Sequence, residues 1–393
     1  MPPAIPPSAW RAAADLNDRP APTELTAARA RCPGLSDEEW RVCVEQTLLR
    51  RRARPTLGPA ADRLWFTDQG LQQASHPAVA ARRARLLVDQ GETHLLDLGC
   101  GLGLDALAAQ RSGLIVRAVE QDPRTADYAS ANLGATVRIA DARHEPLPSG
   151  TVAFVDPARR QGFDTHGTAR RAFDPEQWQP PWSWTQELLR RHPRTLVKAA
   201  PGLPHALIPA DTAVEWISVA GHLVETTVWG ADVRADRPPR AAVLLTPGKD
   251  PWQATETRLP ATAGERSAPS GALGSWLLEP DPAIIRGHLL AELCDLTGGH
   301  LVSDGIAYVT GTGDCHGSWG RTSHVEAVLP ARPKALRGEL RRRGIGHVEI
   351  RTRGLNWDPQ SLRRELRLPG GPAGAQLVFT RLQGRAAAVL VSD

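Results

Sequence analysis

Four short apolar runs in the first half of the chain each end in an acid. "HLLD" ends at Asp97, "VRAVE" at Glu120, "RIAD" at Asp141 and "AFVD" at Asp156. Gly99, Gly101 and Gly103 follow the first run directly. Glycine permits tight turns and close approach of bare backbone to a ligand. Where such a turn opens a helix, the unpaired amides of the first helical turn face the ligand as well. Asp156 is followed by Pro157, Ala158 and Arg159, so the fourth run ends in an acid, a turn and a base.

The spacing Gly99-x-Gly101-x-Gly103 differs from the Gly-x-Gly-x-x-Gly of dinucleotide sites. Asp105 follows closely, and a pyrophosphate is repelled by a nearby acid. Several carboxylates along one edge suit a ligand with an amine and hydroxyls instead. S-adenosylmethionine offers a cationic amino acid end, a ribose and an adenine, so it is the expected cofactor.

The elements that would position these residues follow from the apolar rhythm. Residues 1–88 read as a helical region. Ser36 and Glu39 form a capping-box pattern before a helix with Trp40, Val44 and Leu48 on one stripe. "HPAVAARRARLLV" is a second helix. From 89 to 235 strands and helices alternate, which means a mostly parallel sheet covered on both faces. "VEWISVAG" and "LVETTVWG" come in quick succession and predict an antiparallel finish. Residues 236–275 are a turn-rich seam with one strand, "AAVLLT". Residues 276–393 read as a compact α/β domain: a helix over "DPAIIRGHLLAELCDLTG", further strands and helices, and a closing hairpin.

Residues 92–160 resemble the class I S-adenosylmethionine-dependent methyltransferases. "LLDLGCGLG", "VRAVEQD", "IADA" and "VAFVDPARR" stand in the order of that family's first four motifs. The resemblance implies an α/β, Rossmann-like sheet of seven strands. It implies that the turn from Gly99 through Cys100 and Gly101 to Gly103 faces the methionine part of the cofactor, with Asp97 orienting the amino group. Glu120 would take the ribose hydroxyls, Asp141 and Ala142 would lie by the adenine, and Asp156 would border the reacting end. The wider chain resembles a bacterial group of methyltransferases with a THUMP-like C-terminal domain, through "LWFTDQGLQQASHPAVAARRA", "VKAAPGL", "EPDPAIIR" and "IRTRG". THUMP domains bind RNA, so tRNA or rRNA is the partner this likeness implies.

On the substrate side, "DPAR" departs from the Asp/Asn-Pro-Pro-aromatic motif of enzymes acting on exocyclic base amines, and is closer to variants acting on ring atoms. Methylation of a uracil carbon needs a nucleophilic cysteine, and Cys100 sits in the cofactor turn. Direct attack by a base nitrogen is therefore expected, with Asp156 and Arg159 as catalytic residues. Arg160 would hold a phosphate or ring edge. Lys198 either faces the cleft or is an ordinary strand-end lysine. The segment 163–184 interleaves Phe163, Phe173, Trp178, Trp182 and Trp184 with Arg170 and Arg171, either as a substrate lid or as helix packing. In the tail, Arg342 and Arg343 on a helix and Arg351 and Arg353 on a strand are expected to share one phosphate-binding surface.

Composition narrows the alternatives. The chain of 393 residues has no run of about 20 apolar residues and no basic-then-apolar leader, which predicts a soluble, cytoplasmic protein. Five scattered cysteines suit neither a disulfide framework nor a zinc site. His316 and His324 are not read as metal ligands, and no metal is expected. The net charge is only +4, but residues 331–393 hold 13 Arg and Lys against 5 Asp and Glu. Two other functions remain open at this point: an RNA-binding protein with a vestigial or regulatory cofactor site, and a methyltransferase acting on a protein or small metabolite.

Overall fold

A computed structural model describes every residue except 1, 159, 164–168, 172, 173, 263 and 316; for 160–163 and 169–171 it describes the backbone alone. The chain forms two compact units. The first comprises 1–214, 224–237 and 245–255, the second 215–223, 238–244 and 256–393. Among the described residues no helix is long and apolar enough to cross a membrane.

The first unit begins with helices α1 (Pro7–Ala14), α2 (Pro22–Ala30), α3 (Asp37–Leu57), α4 (Asp68–Gln73) and α5 (Pro77–Asp89). The capping box at the start of α3 forms: Ser36 accepts from the Glu39 amide, and Glu39 accepts from the Ser36 amide. The buried stripe of α3 runs through Trp40, Cys43, Gln46, Leu49 and Ala53, so Val44 and Leu48 lie at its margin. These helices have too little apolar surface for a core of their own. Leu49, Leu57 and Phe66 pack with Leu102, Leu104 and Tyr128 from the segments that follow.

The alternating region forms β1 (His94–Leu98), α6 (Leu104–Arg111), β2 (Ile115–Glu120), α7 (Pro123–Leu133), β3 (Arg138–Ile139) and β4 (Val152–Val155). A short antiparallel pair follows, β5 (Arg160–Phe163) with β6 (Ala169–Arg171). Then come α8 (Trp182–Arg191), β7 (Thr195–Ala199), β8 (Ala213–Val219), β9 (His222–Trp229), β10 (Arg240–Pro247) and β11 (Ala254–Pro260). The nine-stranded sheet has the order β11-β10-β8-β9-β7-β4-β1-β2-β3. It holds the seven strands expected, the seam strand β10, and β11, which a Thr-, Glu- and Pro-containing stretch does not announce. β1 pairs in parallel with β2 and β4, and β4 with β7, whereas β7 and β9 are antiparallel. β4 and β7 are buried throughout, as central strands covered on both faces must be.

The second unit carries a seven-stranded sheet. Its strands are β12 (Trp276–Pro280), β13 (His300–Leu301), β14 (Val309–Gly311), β15 (Gly320–Leu329), β16 (His347–Thr352), β17 (Gly374–Leu382) and β18 (Arg385–Ser392). The order is β13-β14-β12-β15-β18-β17-β16, and the closing hairpin is β17 with β18. The helix expected over 281–298 is two, α9 (Pro282–Arg286) and α10 (Leu290–Thr297). His288 between them adopts φ 54°, which a continuous helix cannot accommodate. Helices α11 (Pro333–Arg342) and α12 (Pro359–Leu366) cover one sheet face, with Leu336, Leu340, Leu362 and Leu366 against Val348 and Ile350.

Candidate active site

The parallel strands put the predicted acids along one edge. Gly99, Gly101 and Gly103 all have positive φ, 82°, 54° and 75°. Gly103 is the left-handed residue before α6, and a side chain there would press on Leu133. Nothing lies within 4 Å of where a Cβ would stand on Gly99 or Gly101. Those two therefore leave bare backbone facing open space. Glu120 braces this turn: its carboxylate accepts from the Gly101 amide at 3.0 Å and the Asp122 amide at 2.9 Å.

A cleft of about 490 Å³ lies over the turn, lined by Asp97, Gly99, Gly101, Glu120 and Asp156, with Gln73 on its opposite side. A smaller cavity of about 190 Å³ continues it past Glu120, Asp141 and Ala142. Asp97 is 1% exposed, and both its carboxylate oxygens are buried without a hydrogen-bond partner. Burial, reinforced by the charges of Asp105, Asp156 and Glu120, drives its pKa well above the ordinary 3.8. A buried, partnerless acid is costly unless a cation completes it. An ammonium group supplies such a cation. Asp141 is different. Its hydrogen bonds from Arg143 hold it down at about 2. Cys100 has its thiol pushed well up by burial, which does not suit a nucleophile.

Asp156 sits at the end of β4 and Lys198 on the neighbouring β7. Their ion pair is 2.5 Å long, and Lys198 also donates to the Gln73 carbonyl at 3.2 Å. Lys198 thus faces the cleft rather than the sheet surface. Burial raises the Asp156 pKa, and the charge and hydrogen bond of Lys198 only partly pull it back. Burial works against the Lys198 ammonium, but Asp156, Asp105 and Glu225 outweigh it and hold its pKa up.

Beside this pair lies a network that sequence reasoning missed. Arg83 of α5 bonds both Asp105 of α6 and Glu225 of β9. Ser75 donates to Asp105 at 2.6 Å, and Thr227 to Glu225 at 2.8 Å. Arg83 also lies 4.9 Å from the ring centre of Phe154. Arg83 and Glu225 are 142 residues apart in sequence. The only local signal was an arginine on the apolar side of a short helix.

A third cavity, of about 480 Å³, lies on the far side of Asp156. Lys198, Glu225, His76 and Arg52 line it, and Gln73, Ala74 and Ser75 line both it and the main cleft. Asp156 also borders both. The two spaces therefore meet at Asp156 and the segment between α4 and α5.

Other expected site residues fall elsewhere. Trp178 and Trp182 are buried and packed edge to face at 6.0 Å, so they are core rather than lid. Trp184 is partly buried against the Leu188 cluster. Arg159, Phe173 and His316, and the side chains of Arg160, Phe163, Arg170 and Arg171, lie outside the described residues. In the second unit, the single surface expected for Arg342, Arg343, Arg351 and Arg353 does not form. Strand periodicity explains why. Val348 and Ile350 face α11, so Arg351 and Arg353 point to the opposite face. There both bond Glu279 at 3.0 Å. Arg342 and Arg343 both pair with Glu339 on their own helix.

Comparison with known proteins decides what kind of molecule carries this cleft. An uncharacterised S-adenosylmethionine-dependent methyltransferase of Mycobacterium tuberculosis, from strains CDC 1551 and H37Rv, is 33% identical over 353 residues. The match covers 86% of this chain and 92% of the relative. The chain belongs to the S-adenosylmethionine-dependent methyltransferases. Its cofactor is S-adenosylmethionine, and the partnerless Asp97, the bare turn and the braced Glu120 fit that molecule's amine, amino acid backbone and ribose. The methyltransferase fold extends across the chain. A crystal structure from Porphyromonas gingivalis W83, of a protein assigned to the methyltransferases, matches with TM-score 0.70 at 18% identity, covering 99% of this chain and 98% of that one. Residues 320–393 match the THUMP domain-like family. A 129-residue stretch, 33% of the chain and 27% of the relative, is 34% identical to the 23S rRNA (uracil(1939)-C(5))-methyltransferase of Acidithiobacillus ferrooxidans.

Proposed function

We propose that this methyltransferase modifies a base nitrogen in tRNA or rRNA in the cytoplasm. The observation that carries the reading is the second polar cavity, which meets the cofactor cleft at Asp156 and has room for a base. The THUMP domain-like match and the rRNA-modifying relative support RNA as the polymer. No cysteine lines the second cavity, which favours nitrogen over carbon as the nucleophile.

In this reading Asp97 holds the cofactor's ammonium, the Gly99–Gly103 turn its amino acid end and Glu120 its ribose. Asp141 and Ala142 border the adenine. Bound S-adenosylmethionine supplies an electrophilic methyl on a sulfonium centre. Asp156 receives the substrate's N–H, and Lys198 fixes the Asp156 carboxylate in place. Alignment of the reacting atoms is the main contribution required.

The test is mass spectrometry of nucleosides from tRNA and rRNA of cells with and without the gene. Loss of one methylated nucleoside, restored by the wild-type gene but not by Asp156→Asn, supports the reading. An unchanged nucleoside profile with a methyl mark lost from protein or metabolites defeats it. In vitro, Asp156→Asn should lower turnover by about 100-fold or more, the usual weight of a positioned proton acceptor, with cofactor affinity little changed.

A further inference from the structure

Gln73 stands at the junction of the two cavities, at the end of α4, and lines both. Its side-chain Nε2 is buried and has no hydrogen-bond partner. A buried amide donor left unmade is costly, so its persistence calls for an acceptor from outside the chain. Its backbone carbonyl is already taken by Lys198, at 3.2 Å. The same ammonium bonds Asp156 at 2.5 Å. Gln73, Lys198 and Asp156 therefore form one constellation: two donors, one of them charged, beside one carboxylate.

His76 adds a third donor to the same cavity. Its Nδ1 accepts from the Ala78 amide at 3.3 Å, so the neutral ring carries its proton on Nε2. Burial, only partly opposed by Glu225, lowers the His76 pKa and favours that neutral form.

We propose that the second cavity reads a base edge on which a ring N–H lies next to a carbonyl, as in guanine (N1–H, O6) or uracil (N3–H, O4), with Gln73 as the residue that selects the carbonyl. The inference rests on the RNA reading above and narrows it. Asp156 accepts the ring N–H, and the Gln73 amide donates to the adjoining oxygen.

The chemistry of such an edge matches the charges at the junction. A ring N–H of this type has its electron pair tied up in conjugation with the carbonyl. It must lose its proton before or during attack, and the negative charge then spreads onto the oxygen. An exocyclic amine makes no such demand, because its proton leaves after the methyl arrives. Asp97, Asp105, Asp156, Glu120 and Glu225 face only Arg83 and Lys198 here, and this excess of acid suits proton acceptance. The donors gathered on the carbonyl side suit an oxygen that gains charge. The ring nitrogen passes its proton to the Asp156 carboxylate and bonds the methyl carbon. The carbon–sulfur bond breaks with its electron pair left on sulfur, giving the neutral thioether.

The test uses the full-length protein, isotope-labelled S-adenosylmethionine, and tRNA and rRNA from cells lacking the gene. Label is expected in 1-methylguanosine or in 3-methyluridine, two products that chromatography separates. Label in N6-methyladenosine, N4-methylcytidine, N2-methylguanosine or 5-methyluridine overturns this inference alone. Label entering only protein or small metabolites overturns the RNA reading and this inference with it. Gln73→Glu keeps the size of the side chain and removes the donor. It should lower kcat/KM for RNA at least tenfold, with the dissociation constant for S-adenosylhomocysteine within threefold of wild type. Wild-type activity in Gln73→Glu, or loss of cofactor binding in both Gln73→Glu and Gln73→Ala, overturns the role given to Gln73.

Discussion

Asp97 ties the cleft's electrostatics to its ligand. With no partner in the folded chain, it is easier to bury protonated than ionised. Its folded-state pKa is raised, so its stabilising contribution to the ligand-free protein is full below the unfolded value near 3.8 and fades as pH climbs through the folded value. An ammonium ligand reverses the preference, because it needs the ionised form. Binding then expels a proton, and affinity rises with pH across the window above 3.8, by up to about tenfold per unit while the ligand's own amine stays protonated. Calorimetric titration with S-adenosylhomocysteine from pH 5 to 7 reads this slope directly. Asp97→Asn should bind more weakly and lose the slope; an identical slope in the variant would show that another group releases the proton. Asp156 also has a raised pKa, so the variant, and not the wild-type profile alone, assigns the effect.

At the scale of elements, the β1–α6 turn separates two uses of glycine that look identical in sequence. Gly103 starts α6 at φ 75°, and a Cβ would stand 3.2 Å from two atoms of Leu133. Gly101 at φ 54° has open space around it and donates its amide to Glu120. Alanine at either position strains the backbone by about 1–2 kcal/mol. Gly103→Ala should show that loss in urea unfolding together with a packing penalty, and retain measurable cofactor binding. Gly101→Ala should lose less stability and more affinity, because its methyl enters the cleft. Equal affinity losses in the two variants would refute the division. The turn itself was legible because its signal is local: an acid at a strand end, glycines at fixed offsets and a helix start lie within a dozen residues. The Arg83 network was not, since Glu225 reaches α5 only once β9 has joined the sheet. The break after α9 was hidden too. "IIRGHLLAEL" keeps a helical apolar pattern through Gly287, and only the left-handed His288 interrupts it.

For the molecule as a whole, the sequence revealed the alternation of the first unit and the α/β character of the second, because both follow from periodicity. What periodicity could not reveal was which arginines are already spoken for. Arg351 and Arg353 share Glu279, and Arg353 also reaches the Ala307 carbonyl and lies 5.1 Å from the ring centre of Tyr308. These two brace the second unit's own sheet face. Arg342 and Arg343 share the single carboxylate of Glu339, with side chains 76% and 41% exposed. Two cations on one anion leave net positive charge at the end of α11, and exposed pairs of this kind contribute only about 0.3–0.5 kcal/mol to hold them. A phosphate can therefore compete for them. If RNA binds there, its affinity for the full chain falls as salt rises, by roughly 0.7–0.9 logarithmic units per phosphate neutralised. Replacing both arginines by alanine should make that slope shallower by about one to two units and weaken binding at low salt. Arg351→Ala should instead lower the melting temperature, because it frees Glu279 from a half-buried partner. Filter binding across a salt series, with thermal unfolding run in parallel, separates the two effects. An unchanged slope in the Arg342/Arg343 double variant would move the RNA contact away from α11.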